Sequence, residues 1–316
     1  MKKRFTADTR LWHVTHCRSF APFRKYILSP RQFRFGMQFY KIKNLQWFYP
    51  ADSQRIAETL NAMRERTEKG QKLFYDFGHD TGLFAFTVGD NKPFVLILPG
   101  GGYGDVCSLI EGFPVALQLN RMGYNAFVGL YRIAGQAHYP NPQDDVAKML
   151  SFIFENAPAL GVNAQNYAVC GFSAGGHLAA SWGTKSLGYA KYGLPRPAAV
   201  ILAYPVITMG EYTHKGSRKN LLGKDANNQV VIEQYSIEKQ IDADYPPAFI
   251  WQCKNDRVVP FQNSLLLKKA LDANGVPCRL MPVEGTAHGW GLANGTAAEG
   301  WLQKAVAFWQ TTGGKA

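Results

Sequence analysis

The stretch "YAVCGFSAGGHLAASW", Tyr167 to Trp182, constrains this chain more than any other. An apolar run (Ala168, Val169, Cys170) drives into Gly171-Phe172-Ser173-Ala174-Gly175-Gly176, and a helical pattern resumes at His177. An ordinary strand-to-helix turn needs one glycine. Here three surround a single serine. The alternative is a plain glycine-rich turn, but the G-x-S-x-G spacing between a strand and a helix has the form of a nucleophile elbow. Such a turn forces the serine into strained φ/ψ, and a side chain two positions to either side would collide with neighbouring backbone. The serine then stands above an electropositive helix N-terminus.

The pattern around this turn is regular. Strand-like runs at 73–75, 83–87, 94–98, 126–130, 167–171, 199–202, 248–251 and 278–283 alternate, from 94 onward, with helical patterns. These fall near 112–122, 143–156, 174–183, 261–273 and 297–310. Apolar runs buried on both faces and separated by amphipathic helices imply an α/β fold with a mostly parallel central sheet flanked by helices. A polar insertion occupies 207–244, after the sixth strand. In such sheets the working groups gather beyond the strands' carboxyl ends.

A serine hydroxyl needs a base, and the base an orienting acid, in the chain order Ser, acid, His. Asp256 follows the run "FIWQC" by 83 residues from Ser173, and His288 follows the next strand 32 residues later. Taken singly, Asp256 reads as a cap for a helix near Pro260 and His288 as a loop histidine. Taken with the elbow, they complete a Ser173-His288-Asp256 set. Glu284, Asp242 and Asp244 are rival acids. An imidazole titrates near neutrality and so serves as a base at pH 7. Oxyanion donors are expected at the N–H of Ala174 and in Pro99-Gly100-Gly101-Gly102-Tyr103, with Gly101 and Gly102 as candidates. No Lys-Ser/Thr follows these glycines, so the loop is not a P-loop. The chemistry expected is attack on an acyl carbonyl through an acyl-enzyme.

Further candidates have two readings each. Tyr103 lines an acyl pocket or packs its own loop. Arg132 clamps a substrate anion or pairs with Asp145. His177 packs or orients the loop rather than acting as base. His214, in the insertion, supplies a polar substrate contact. The insertion is too hydrophilic for a lipase lid.

The formal charge of +12 is concentrated at the start: residues 1–50 hold eleven Lys/Arg and one acid, Asp8. They also hold many aromatic rings, which argues against disorder. This basic segment is expected to pack on its own domain, on a second subunit of an oligomer or on a membrane surface. Nucleic acid is not an expected partner. Pro50–Ser53 reads as a helix start, with Ile56, Leu60 and Met63 at helical spacing up to Gly70. We therefore divide the chain into a 1–69 extension and a 70–316 catalytic domain. Five scattered cysteines form no disulfide or zinc pattern, and no signal-like apolar stretch follows Met1-Lys2-Lys3-Arg4. The expectation is a cytoplasmic protein that needs neither metal nor organic cofactor.

The blocks "LPGGGY", "EGFPVALQLNRMGYNAFVGLYRI", "CGFSAGGHLAA", "PPAFIWQCKNDRVVPFQNSLLL" and "EGTAHGWGLA" resemble bacterial α/β-hydrolases of the acetyl-esterase and acetylxylan-esterase-like group, related to lipase/esterases and feruloyl esterases. The resemblance spans residues 70–312. It implies the α/β-hydrolase fold and a serine carboxylesterase for short acyl esters, often acetyl groups on sugars or oligosaccharides. Ser173, Asp256 and His288 would carry the triad roles, and Gly101, Gly102 and Ala174 the oxyanion hole. Pro99 stands where hormone-sensitive-lipase relatives place histidine, which argues against a lipid substrate. Two rival functions share parts of this pattern: a prolyl-oligopeptidase-related peptidase, and a binding protein with a vestigial hydrolase fold.

Overall fold

The computed structural model describes residues 4–47 and 50–313. Eight strands form one sheet: β1 (Phe74–Gly78), β2 (Thr81–Phe86), β3 (Lys92–Leu98), β4 (Asn125–Leu130), β5 (Val162–Phe172), β6 (Ala199–Ala203), β7 (Ala248–Cys253) and β8 (Cys278–Val283). Their order is β1-β2-β4-β3-β5-β6-β7-β8. β2 runs antiparallel to both β1 and β4, and every other pairing is parallel. This is the α/β-hydrolase architecture expected from the sequence, with the insertion between β6 and β7.

Phe94 to Leu98 have no exposure, nor has any residue of β6. Such runs of Val, Ile, Leu and Phe suit a strand covered on both faces, where each large side chain contributes about 1.5–3 kcal/mol by leaving water. The helix Ser53–Glu68 packs against Phe113–Arg121, and Asn141–Glu155 against Ser173–Trp182. Parallel register aligns the carboxyl ends: Leu98 sits opposite Gly171, Phe172 opposite Ala203, and Cys253 opposite Val283. The residues that follow β3, β5, β6, β7 and β8 therefore share one rim.

The largest boundary differences from the sequence reading are at the starts of β5 and of the last helix. β5 starts at Val162 rather than 167, because its first residues extend past the apolar run to pair Val162 with Lys92. The last helix starts at Trp301 rather than 297, because Gly300 at its N-cap has φ +77°.

The basic N-terminal segment packs on this same body. Leu11, Val14, Phe20 and Phe23 are buried in the common core, and Phe23 meets Phe84 of β2 edge-on at 5.4 Å. The Tyr26 hydroxyl donates to Asp76 of β1 at 2.7 Å. Asn61 joins the segment to the first long helix by accepting from Phe5 N–H at 2.9 Å and donating to Phe5 C=O at 2.8 Å. No helix among the described residues is long and apolar enough to cross a membrane.

Candidate active site

Ser173 takes φ +51° at the junction of β5 and its helix. The neighbouring glycines make that turn sterically feasible. A Cβ on Gly171 would lie 2.2 Å from Gly175 O, and one on Gly175 would lie 2.1 Å from Leu98 O. The turn is thus wedged against the end of β3, with the serine in a backbone conformation that L residues rarely adopt.

The loop after β8 brings His288 to it. His288 Nε2 is 2.8 Å from Ser173 Oγ, and Nδ1 is 2.8 Å from Asp256 Oδ2. The matching tautomer has Nδ1–H donating to Asp256 and Nε2 accepting from the serine hydroxyl. The Asp256 side chain has no exposure, and that of His288 is 12% exposed. Asp256 does not cap the following helix. Its Oδ1 accepts from Val258 N–H at 2.8 Å and Val259 N–H at 3.0 Å, which fixes the carboxylate and leaves Oδ2 for the imidazole and a longer bond from Gln252 Nε2 at 3.3 Å. The rival acids are engaged elsewhere: Glu284 pairs with Lys254, and Asp242 and Asp244 with Lys185.

The glycine loop abuts the serine so closely that a Cβ on Gly100 would lie 2.8 Å from Ser173 Cβ. Ala174 N–H falls in the first turn of its helix, where no intrahelical acceptor exists. The N–H groups of Gly101 and Gly102 donate to no acceptor among the described residues. The loop's other groups are tied down. Gly104 N–H and Asp105 N–H both donate to Gly101 O, and Asn220 of the insertion donates to Gly102 O at 2.8 Å.

Two residues that the sequence reading did not single out hold this assembly. Glu111 is buried just past the glycine loop. It accepts from Gly100 N–H at 2.7 Å and from the Tyr204 hydroxyl at 2.9 Å. Burial pushes its carboxyl above the usual range, while those donors and nearby His288 pull it back. Tyr204 follows β6 with φ +40°, accepts from Gly291 N–H at 3.0 Å and packs its ring edge-on against His288 at 4.7 Å. A lone acid in the apolar run Leu109-Ile110-Glu111 was the signal for the first, and a tyrosine directly at a strand end the signal for the second.

The candidate pocket residues divide. Tyr103 does not line a pocket: it is fully buried, and its hydroxyl meets His177 Nδ1 at 2.8 Å. Its φ of +57° turns the ring inward against the elbow helix. His177 Nε2 in turn meets Tyr235 O at 2.8 Å, and burial lowers its pKa to about 4, so it is a neutral brace between loop, helix and insertion. Arg132 takes the ion-pair option, with Nε 2.9 Å from Asp145 Oδ1 and Nη2 donating to Asn141 O at 2.9 Å. That pairing withdraws it from the clamp role. His214 does stand over the loop: its Cε1 would lie 3.4 Å from a Cβ on Gly102. Burial, reinforced by nearby His288, lowers its pKa, and its Nδ1 is held 2.8 Å from Ser217 Oγ. Among the described residues no group of three or more His, Cys, Asp or Glu is placed to hold a metal ion.

The BD-FAE family profile matches residues 87–271. Endo-1,4-beta-xylanase B of Butyrivibrio fibrisolvens is 35% identical over 77% of this chain and 40% of its own length. Acetylxylan esterase of Xylanibacter ruminicola is 34% identical over 62% of this chain and 40% of its own length. The chain thus spans about 40% of the length of these curated relatives. Among solved structures, the acetyl ester-xyloside bifunctional hydrolase from Caldicellulosiruptor lactoaceticus is 32% identical, with a TM-score of 0.66 over 74% of this chain and 88% of that one.

Proposed function

The chain belongs to the BD-FAE family, and from that premise we propose that it is a serine carboxylesterase that removes short acyl groups, acetyl above all, from sugars or oligosaccharides. One observation carries the reading: Ser173, His288 and Asp256 form an unbroken hydrogen-bond chain, with both bonds to the imidazole at 2.8 Å. The glycine loop that meets this serine at Gly100 supports the reading, because the N–H groups of Gly101 and Gly102 are committed to no acceptor among the described residues.

Ser173 Oγ attacks the ester carbonyl carbon while His288 Nε2 takes its proton. Asp256 stabilises the imidazolium and keeps Nδ1 protonated throughout. The carbonyl oxygen becomes an oxyanion and accepts from the N–H groups of Gly101, Gly102 and Ala174. These donors are set before the reaction starts, so they need no reorganisation as charge develops, and each is worth about 3–4 kcal/mol of barrier. His288 then hands its proton to the leaving alcohol oxygen as the C–O bond breaks. Water, deprotonated by His288, attacks the acyl-enzyme and releases the acid and the free serine.

The assignment of short acyl groups rests on the insertion lying over the glycine loop, where Asn220 donates to Gly102 O and His214 stands close above Gly102. The sugar alcohol is taken from the relatives, one named as an acetylxylan esterase and one as an acetyl ester-xyloside hydrolase. The test compares p-nitrophenyl acetate, butyrate and octanoate with acetylated xylosides and an aminoacyl anilide. Acetate esters should give the highest kcat/KM, and Ser173→Ala should lose about a millionfold in kcat. Preference for the octanoate or the anilide would refute the short-acyl assignment.

A further inference from the structure

The N-terminal segment brings two arginines to the edge of the candidate active site. Ser29 caps the short helix Pro30–Arg34 in a reciprocal pair with Gln32, and this sets the direction of Arg31 and Arg34. Arg31 reaches the glycine loop, where its Nη1 would lie 3.0 Å from a Cβ on Gly104. Asn220 Nδ2 would lie 3.0 Å from the same point, and it also donates to Gly102 O. Two residues of backbone span at most about 7 Å, so Arg31 stands within about 12 Å of the Gly102 amide.

A cavity of about 290 Å³ opens between this segment and the loop after β4. Arg31, Arg34, Gly104 and Ala134 line it, and the same four residues line an adjoining depression together with Phe35 and Asn220. Lys25 and Arg132 add positive charge to the cavity wall, against the single carboxylate of Asp80. Lys25 is paired with Asp80 and Arg132 with Asp145. Arg31 and Arg34 are exposed, and among the described residues neither has a carboxylate within ion-pair distance. Asp105 behind them attracts Arg31, but it is buried and already accepts from Val106 N–H, Ser29 and Gln32. Phe35 lies 5.6 Å from the Arg31 guanidinium and stays 69% exposed. The ring holds the planar fork while leaving its donors open. The segment lies wholly outside the residues matched by the family profile.

We infer that Arg31 and Arg34 form a subsite for a carboxylate on the alcohol part of the substrate, so that the preferred ester is an acetylated acidic sugar. This rests on the esterase reading above, because an acetyl group has no ionisable atom and any anion must sit on the alcohol. A guanidinium fork binds a carboxylate through two parallel hydrogen bonds, and the cavity has the size of a small-molecule site.

The test compares kcat/KM for an acetylated methyl glucuronoside with that for the equally acetylated methyl glucoside, at low salt and at about 0.5 M salt. The wild type should favour the acidic sugar by about tenfold at low salt, with the preference shrinking at high salt. Arg31→Gln/Arg34→Gln should bring that ratio close to one. Lys43→Gln, which removes a basic residue of the same segment that pairs with Asp8, should leave the ratio as it is. Both variants are melted beside the wild type, and Arg34→Gln alone should give an intermediate ratio. A wild type without preference, or a double variant that keeps it, overturns the subsite. Turnover of p-nitrophenyl acetate is followed in parallel. If that ester is cleaved and the acidic preference is absent, only the subsite fails; if no ester is cleaved, the esterase reading fails with it.

Discussion

The Tyr204 hydroxyl donates to Glu111 at 2.9 Å in the buried interior, and through this bond the glycine loop and the imidazole share one support. Glu111 holds Gly100 N–H on one side, and Tyr204 faces His288 on the other. Glu111→Gln keeps the volume and one acceptor but loses the second. Its predicted effect is a fall in kcat of about tenfold, smaller than the 10²–10³ lost when an oxyanion donor is removed outright. KM for p-nitrophenyl acetate should change little, because the lost support matters most as charge develops. Steady-state kinetics separate the two parameters.

Tyr204→Phe is predicted to keep the ring against His288 while leaving Gly291 N–H and one Glu111 oxygen without a partner. Leaving buried polar groups unsatisfied costs about 1–3 kcal/mol. Chemical denaturation should show a loss of that size with an unchanged slope against denaturant.

Asp256→Asn is predicted to lower kcat about 10⁴-fold while the fold survives, because an amide no longer secures the Nδ1–H tautomer of His288. Its remaining turns to Val258 and Val259 N–H can be kept by the amide oxygen. Circular dichroism should match the wild type, while the melting temperature should fall modestly, because the new amide NH2 faces the Gln252 Nε2 donor.

His177 gives a pH signature of stability. Burial holds its folded pKa at about 4, below the ordinary 6.5. The unfolded chain therefore binds a proton first as pH falls. The contribution of the neutral histidine is whole above pH 6.5 and is lost on the way down to about 4, amounting to about 3 kcal/mol. Wild type minus His177→Gln stability, measured by denaturation at pH 7 and near pH 4, should shrink by that order.

Phe23→Ala should cost about 3–5 kcal/mol, as expected for an aromatic side chain removed from a packed core. Phe23 is 2% exposed and lies against both Phe84 and Phe74. Amide exchange across residues 5–47 should rise in the same variant, since this ring joins the basic segment to the sheet.

The rim of the sheet was legible because its logic is local. An apolar run followed by Gly-x-Ser-x-Gly, Asp or His places each group at a strand end, and parallel pairing then brings those ends together. Ser173, Asp256 and His288 follow directly from that rule. Glu111 and Tyr204 do not, because their meeting depends on β3 lying beside β5 and β5 beside β6, which no local pattern states. Tyr103 was ambiguous for another reason: a positive φ reverses the side expected of its ring. The docking of residues 5–47 on their own domain was only one of three expectations, because their aromatics follow no strand or helix period that would show which rings turn inward. Phe20 and Phe23 go inward while Phe35 and Phe39 stay exposed.

The central claim is that Ser173 is the activated nucleophile, and a fluorophosphonate probe tests it most directly. Intact-mass and peptide analysis should find one label per chain, on the peptide that holds Ser173, with ester turnover falling in step with labelling. His288→Ala should label far more slowly, and Ser173→Ala not at all. Labelling confined to another residue, or wild-type ester turnover by Ser173→Ala, would contradict the account.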